Sequence, residues 1–401
     1  MTTPESIKAK FPIFSHHPGL VYLDNAATSQ KPQAVIDAMN AFYTEGNANI
    51  HRGLYELSAQ ATQRYEAVRT LTGQLIGTNN PKTIAFTKGA TEAINAVAFG
   101  FLQKKIKPGD NVVVSAMEHH ANIIPWQQVC HRHGARLAII PLDSKGDLRV
   151  DSLSALLGPK TRLVAVTHIS NTLGAINPIE EIIDQAHKKN IPVLVDAAQS
   201  AGHYPIRLTE AKADFMVFSA HKMYGPQGVG VLYCREDHAD EMAPFNFGGG
   251  IIEQVAFSDT SFMRYPQCME AGTPHVAGIL GLGAAIDFIS HLDLEKTSSQ
   301  VEQLATLFRE GLKGMGMEPM GSPKVYGGIV SFQVKGIHPH DVAGFLAQSH
   351  VAVRAGHHCT QPLHEAMGVP ASVRASFAIY NTPSDVDSAL QALKELLKFW
   401  S

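Results

Sequence analysis

The chain is poor in cysteine, and the few it has do not pair. Cys130, Cys234, Cys268 and Cys359 are the 4 cysteines in 401 residues, far apart and without a C-x-x-C motif. A disulfide framework is therefore not expected in a chain of this size. Neither sign of charge dominates. The 33 Lys and Arg against 36 Asp and Glu give a formal net charge of −3. With no basic stripe or charge block, the footprint of a nucleic-acid or anionic-membrane binder is missing. Long hydrophobic runs are missing as well, and no stretch approaches the length of a membrane helix. The opening MTTPESIKAKFPIF interrupts its short apolar runs with Lys8, Lys10 and Pro12, so it does not read as a secretory leader. Repeats and low-complexity tracts are absent too. These absences point to a cytoplasmic protein, or one of a soluble organelle interior. What remains is an ordinary globular composition, 45% hydrophobic and 17% charged, long enough for more than one domain.

From about residue 82 short β-rich runs alternate with helical patterns. Strands are expected at 82–87, 111–115, 136–140, 162–167, 191–196, 214–219 and 228–234. Several are near-continuous runs of Val, Ile and Leu, as in a mostly parallel sheet covered on both faces. The segment 179–190 has helical spacing, with acids early and lysines late, as the helix dipole favours. This is α/β alternation. After about residue 285 the pattern changes: helices at 295–315, 340–349 and 384–400 are expected among strands at 326–334, 350–355 and 372–379. The reading is a large α/β domain over 20–285 and a smaller α+β domain over 286–401, with residues 1–19 packing near the latter.

Five segments carry chemistry. In S-A-H-K-M-Y-G-P (219–226), Lys222 follows an apolar strand. A partly desolvated lysine there can form a Schiff base with an aldehyde cofactor, and Ser219 and His221 can bind a phosphate. A lone lysine is otherwise a solvated surface residue. In V-D-A-A-Q-S (195–200), Asp196 ends the most apolar strand, where ligands of open α/β sheets bind. Its carboxylate can pair with a protonated pyridine nitrogen and Gln199 with a phenolic oxygen, or Asp196 can simply cap a helix. In T-K-G-A-T-E (87–92), Gly89 allows a turn into a helix whose N–H groups, with Thr91, make an anion site; a plain capping box fits equally well. In M-E-H-H-A-N (117–122), an imidazole at a strand end can stack on an aromatic cofactor and move protons, although a structural histidine or a metal ligand also fits locally. In R-A-G-H-H-C-T-Q-P (354–362), Cys359 sits by two histidines and Arg354, neighbours that favour a thiolate nucleophile. Arg374, in V-R-A-S-F, is placed to grip a carboxylate. The plainer readings are a surface loop or a weak metal site.

Taken together, these segments resemble a group II cysteine desulfurase of a sulfur-mobilisation pathway. The similarity runs through Y-L-D-N-A-A (22–27), N-I-H-R-G (49–53), E-H-H-A-N, D-A-A-Q, the lysine segment extended to Gly230, E-A-G-T-P (270–274) and R-A-G-H-H-C. It covers nearly the whole chain. The last motif is the most specific, because it separates this group from relatives with a longer cysteine loop. The resemblance implies the fold type I of pyridoxal 5'-phosphate (PLP) enzymes and a homodimer; no metal is expected, because no second cluster of ligand spacing accompanies the His119–His120 pair. It implies Lys222 as the cofactor lysine, His119 stacked on the ring, Asp196 at the ring nitrogen and Gln199 at the phenolic oxygen. Thr91, Ser219 and His221 would bind phosphate, joined by Thr273 from the other subunit. Arg374 and Asn171 (in S-N-T-L-G) would hold the substrate carboxylate, with His51, Arg52 and Arg354 nearby. Ala90 departs from close relatives, which often have a second threonine there. The implied reaction converts L-cysteine to L-alanine with a persulfide on Cys359. Selenocysteine is implied as a second substrate, and a small acceptor protein would take the sulfur toward iron–sulfur clusters. Another fold type I enzyme, an aminotransferase or a kynureninase-like hydrolase, would share the Asp–Lys frame without needing Cys359. A non-catalytic sulfur- or metal-binding protein would use only the H-H-C loop.

Overall fold

The computed structural model describes residues 4–206 and 212–400. Its centre is a seven-stranded sheet. In spatial order the strands are Ile84–Thr87, Gly230–Cys234, Phe215–Ser219, Val193–Asp196, Thr161–Thr167, Asn111–Ser115 and Arg136–Ile140. Gly230–Cys234 runs antiparallel to both neighbours, and every other pairing is parallel. Alternation of side chains explains why the strands are apolar on both faces. Val113, Val164, Val166, Val193 and Val195 enter one core, whereas Val112, Val114, Leu163, Ala165 and Leu194 enter the other. Each such buried side chain contributes about 1.5–3 kcal/mol relative to exposure, and a one-residue slip would exchange the two sets.

The helices Gln33–Glu45, Glu56–Leu75 and Val276–Ser290 fall outside the segments read as helical above. Val276–Ser290 is apolar on nearly every side and mostly buried, so it lacks the polar face that marks a surface helix. Its glycines let neighbours approach: a Cβ on Gly283 would stand 2.6 Å from Val68 Cγ2.

The C-terminal part forms a three-stranded antiparallel sheet, Ile329–Phe332, Ser372–Ser376 and Arg354–Gly356. Helices Leu294–Gly314, Pro339–Gln348 and Pro383–Trp400 accompany it, around a separate apolar cluster. The single strand expected at 350–355 is two strands. Val351–Ala352 pairs in parallel with Val21–Tyr22, and Arg354–Gly356 pairs with Ser372–Ser376. The chain changes sheets between them, which periodicity alone does not reveal. Near the N-terminus, Lys8 Nζ meets Asp385 Oδ1 at 3.0 Å and Phe11 packs on Tyr380. Among the described residues, no single helix is long and apolar enough to cross a membrane.

Candidate active site

The carboxyl ends of the parallel strands converge on a cavity of about 190 Å³. Lys222, Asp196, His119 and Cys359 share its lining with Thr91, Gln199, Ser219 and His221. Arg354, Arg374 and His358 close it from the side of the smaller sheet, and Asn171 from the loop after strand Thr161–Thr167.

Lys222 stands in a short 3-10 turn, Ala220–Lys222, that continues the strand Phe215–Ser219. Its backbone oxygen accepts from His203 Nε2 at 2.7 Å. Burial lowers its pKa to about 8, with Arg374 and Arg354 adding to the fall and Asp196 opposing it. The neutral amine, which is the nucleophilic form, is thereby brought within reach of neutral pH. Asp196 ends the neighbouring strand. Burial raises its pKa, while its contact with Ala198 N–H and the charge of Lys222 pull it down. Oδ1 does accept from Ala198 N at 2.9 Å, but no helix begins there, so the capping role weighed for Asp196 is reduced to a turn. Gln199 donates Nε2–H to Ala26 O at 2.8 Å. His119 Nδ1 accepts from Ala121 N at 3.0 Å, which puts the proton of the neutral ring on Nε2. Burial first, and the Lys222 charge second, lower its pKa to about 3. It faces the cavity as a neutral ring and an N–H donor.

The anion corner is built by two glycines. A Cβ on Gly230 would stand 2.3 Å from Gly89 Cα, so the turn can press against the strand only because Gly230 has no side chain. That contact sets Ala90 N–H to donate to Ser219 Oγ at 2.8 Å and aims the start of helix Ala90–Gly100 at Thr91, Ser219 and His221. Such a helix start suits a phosphate. Burial, followed by the charges of Lys222 and Lys31, lowers the His221 pKa to about 4.

The cysteine loop is held from two sides. His358 and Cys359 both have positive φ, 52° and 58°, uncommon for residues with a side chain. Each carbonyl is captured. His120 N donates to Cys359 O at 2.8 Å, and Asn171 Nδ2 donates to His358 O at 2.7 Å. Thr172 and Thr360 join their hydroxyls at 2.7 Å. Cys359 is exposed, whereas the other three cysteines are buried. Burial pushes the Cys130 and Cys268 thiols up to about 11 and 12 and Cys234 further still. Arg354 and Arg374 are cross-strand partners, and Asp24 holds both, at 3.8 Å and 3.1 Å. Two fixed guanidinium groups beside a cavity recognise a carboxylate.

The comparisons with known proteins match this geometry. Residues 21–389 match the Aminotransferase class-V family. A cysteine desulfurase of Enterobacter sp. (strain 638) is 44% identical over 399 residues, 98% of each chain. The chain belongs to the cysteine desulfurases of the class-V aminotransferase family. The crystal structure of an Escherichia coli cysteine desulfurase as its S-sulfonic acid superposes with TM-score 0.93 at 37% identity, covering 100% of this chain and 99% of that one. An apo cysteine desulfurase of Thermococcus onnurineus NA1 gives 0.95 at 38%, covering 99% of both.

Within this desulfurase fold, three residues drawn from the resemblance lie outside the cavity of their own chain. Thr273 lines a second cavity with Tyr65 and Glu270. Its loop is fixed by Glu270, which accepts from Arg69 Nη1 at 2.6 Å, Tyr65 Oη at 3.0 Å and Phe86 N at 2.8 Å. His51 and Arg52 are exposed; the His51 ring lies 5.7 Å from Tyr65. Neither lines the Lys222 cavity within its own chain, and His51 stands beside Tyr65, a residue of the Thr273 cavity. Asn171 does line the site; one hydrogen of its Nδ2 goes to the cysteine loop, and the amide keeps a second hydrogen to donate. Sequence reasoning also missed Asp24, His120 and Ser372. Asp24 lies in the Y-L-D-N-A-A segment, which carries the resemblance but gives its carboxylate no role. The other two act through contacts that no motif spacing announces. Among the described residues no group of three or more His, Cys, Asp or Glu could hold a metal ion.

Proposed function

We propose that this chain is a PLP-dependent cysteine desulfurase that converts L-cysteine to L-alanine and leaves the sulfur as a persulfide on Cys359. One observation carries the reading: the exposed Cys359 lines the same cavity as Lys222, Asp196 and His119. The donor set fits PLP. Lys222 would hold it covalently, Asp196 would face the ring nitrogen and His119 the ring. The glycine-built corner of Ala90, Thr91, Ser219 and His221 would take the phosphate. When bound, the cofactor supplies the electron sink that lets an amino-acid Cα–H bond break.

The protein's own residues do the rest. Arg374 and Arg354 orient the substrate carboxylate. Lys222, with its pKa near 8, takes the Cα proton as a neutral amine. Asp196 keeps negative charge beneath the site, and His119 contributes its Nε2–H. Cys359 Sγ attacks the substrate sulfur: an S–S bond forms, the C–S bond breaks, and its electron pair stays with carbon, which gains protons and leaves as alanine. Incubation of the loaded enzyme with L-cysteine and a thiol reductant is expected to release alanine and sulfide in equal amounts. Pyruvate with ammonia, or amino transfer to a keto acid, would instead indicate a lyase or an aminotransferase.

We extend the proposal to selenocysteine, since selenium leaves carbon more readily than sulfur. We also extend it to a small acceptor protein that collects sulfur from the exposed Cys359 for iron–sulfur clusters, in a cytoplasmic setting. A homodimer is part of the proposal. It is supported by the separate Thr273 cavity, which lies apart from the Lys222 cavity of the same chain. Thr273 would then complete the partner's phosphate site. Thr273→Ala is expected to weaken cofactor affinity about 10- to 100-fold, the worth of one hydrogen bond to a charged group. Dilution below the dimer dissociation constant should lower activity in step with the loss of dimer seen by sedimentation. A fully active monomer would refute the shared site.

A further inference from the structure

Behind Cys359 runs a chain of hydrogen bonds whose direction is fixed by one carbonyl. His364 Nδ1 lies 3.1 Å from Thr360 O. A carbonyl oxygen only accepts, so Nδ1 carries the proton. Burial lowers the His364 pKa, the ring is neutral, and its Nε2 offers a lone pair. Ser372 Oγ stands 3.0 Å from that nitrogen and 3.0 Å from His358 Nε2. The hydroxyl has a single proton, which goes to His364. Ser372 therefore accepts from His358 Nε2–H. His358 is neutral as well, because burial and then the charge of Arg374 oppose its protonation. Its Nδ1 is left as a bare acceptor, buried and without a hydrogen-bond partner among the described residues.

A matching donor stands on the same strand. Arg374 lies two residues beyond Ser372 in Ser372–Ser376, hence on the same face. Nη1 donates to Asn171 O at 2.9 Å and Nη2 to Asp24 Oδ1 at 3.1 Å. Nε is buried and also lacks a partner among the described residues. A buried donor and a buried acceptor are each costly to leave unpaired, the two residues line the same cavity, and the Arg374 charge acts on the His358 ring.

We propose that His358 is a positioning residue for substrate binding: in the loaded site its Nδ1 accepts the Nε–H of Arg374, leaving the remaining hydrogens of Nη1 and Nη2 for the substrate carboxylate. His364 and Ser372 set the tautomer that makes this pairing possible. The proposal rests on Arg374 as the carboxylate grip. Its consequence is a coupling between substrate and nucleophile, because the arginine that holds the carboxylate also holds the residue preceding Cys359.

The test uses the PLP-loaded enzyme and two probes, L-alanine and ethylamine, which is alanine without the carboxylate. Binding of each is read from the cofactor absorption. Ser372→Ala and His358→Phe are expected to raise the L-alanine dissociation constant about tenfold and to leave ethylamine within about twofold. Ser372→Thr retains the hydroxyl and should restore the L-alanine value. Equal weakening of both probes, or weakening of neither, overturns the proposal. If Arg374→Lys also fails to separate the probes, the carboxylate reading of Arg374 has failed. If Arg374→Lys separates them and the Ser372 and His358 variants do not, only the relay is wrong.

Discussion

Cys359→Ser is expected to lose activity on L-cysteine by about a thousandfold or more while keeping its cofactor. The two halves of the site explain the separation. Lys222, Asp196 and the anion corner belong to the seven-stranded sheet, whereas Cys359 lies on a loop of the smaller sheet. Removing its sulfur leaves the cofactor frame intact. The reaction still needs a nucleophile for substrate sulfur, and a serine hydroxyl, protonated at neutral pH, does not replace a thiol. The variant should show the wild-type cofactor spectrum and respond to added cysteine. Selenocysteine turnover should survive in part, because selenium can leave without a strong nucleophile. In the wild-type protein, brief exposure to cysteine without reductant should add one sulfur to the peptide containing Cys359, as read by mass spectrometry. An adduct on Cys130, Cys234 or Cys268 instead, or normal sulfide release by Cys359→Ser, would show that the nucleophile is misassigned.

Lys222→Ala should be equally severe, with a loss of about 10⁴-fold or more, since in the proposed function one residue would both hold the cofactor covalently and move the Cα proton. Borohydride reduction of the wild-type protein should attach the cofactor to the peptide containing Lys222 and to no other. The pH dependence of loading follows from burial. The ammonium cannot attack a carbonyl, and the folded pKa is lowered to about 8. The rate at which the apoprotein takes up PLP should therefore rise with pH through about 8 and level off above it. Continued rise toward the ordinary lysine range would mean that Lys222 is solvated, and label on Lys31 or another lysine would move the assignment altogether.

Six of the seven central strands were legible because each buries both faces, and an uninterrupted apolar run has few other solutions; the edge strand Arg136–Ile140 is largely exposed and was legible from its apolar run alone. The helix Val276–Ser290 was not. It too is apolar all round, and without a polar face its sequence carries no helical period to read. The site shows the same division. Lys222, Asp196 and Cys359 stand out because amine, carboxylate and thiol are chemically distinctive next to strand ends and glycine turns. Asp24 and Ser372 do not, because a lone Asp or Ser is common and the role here lies in its partner.

By itself, the sequence determined the α/β alternation, the reactive residue types and the family to which they point. Folding decided which of them meet. Arg374 and Asp24 are 350 residues apart and bond at 3.1 Å. His120 and Cys359 are joined through the backbone at 2.8 Å. Thr273, placed with the phosphate ligands by resemblance, lines a different cavity within its own chain, on a loop that Glu270 holds. Local patterns arise from backbone periodicity and side-chain chemistry, which neighbouring residues encode. Convergence of strand ends and strained loops arises from packing across the whole chain, and no segment carries that information alone.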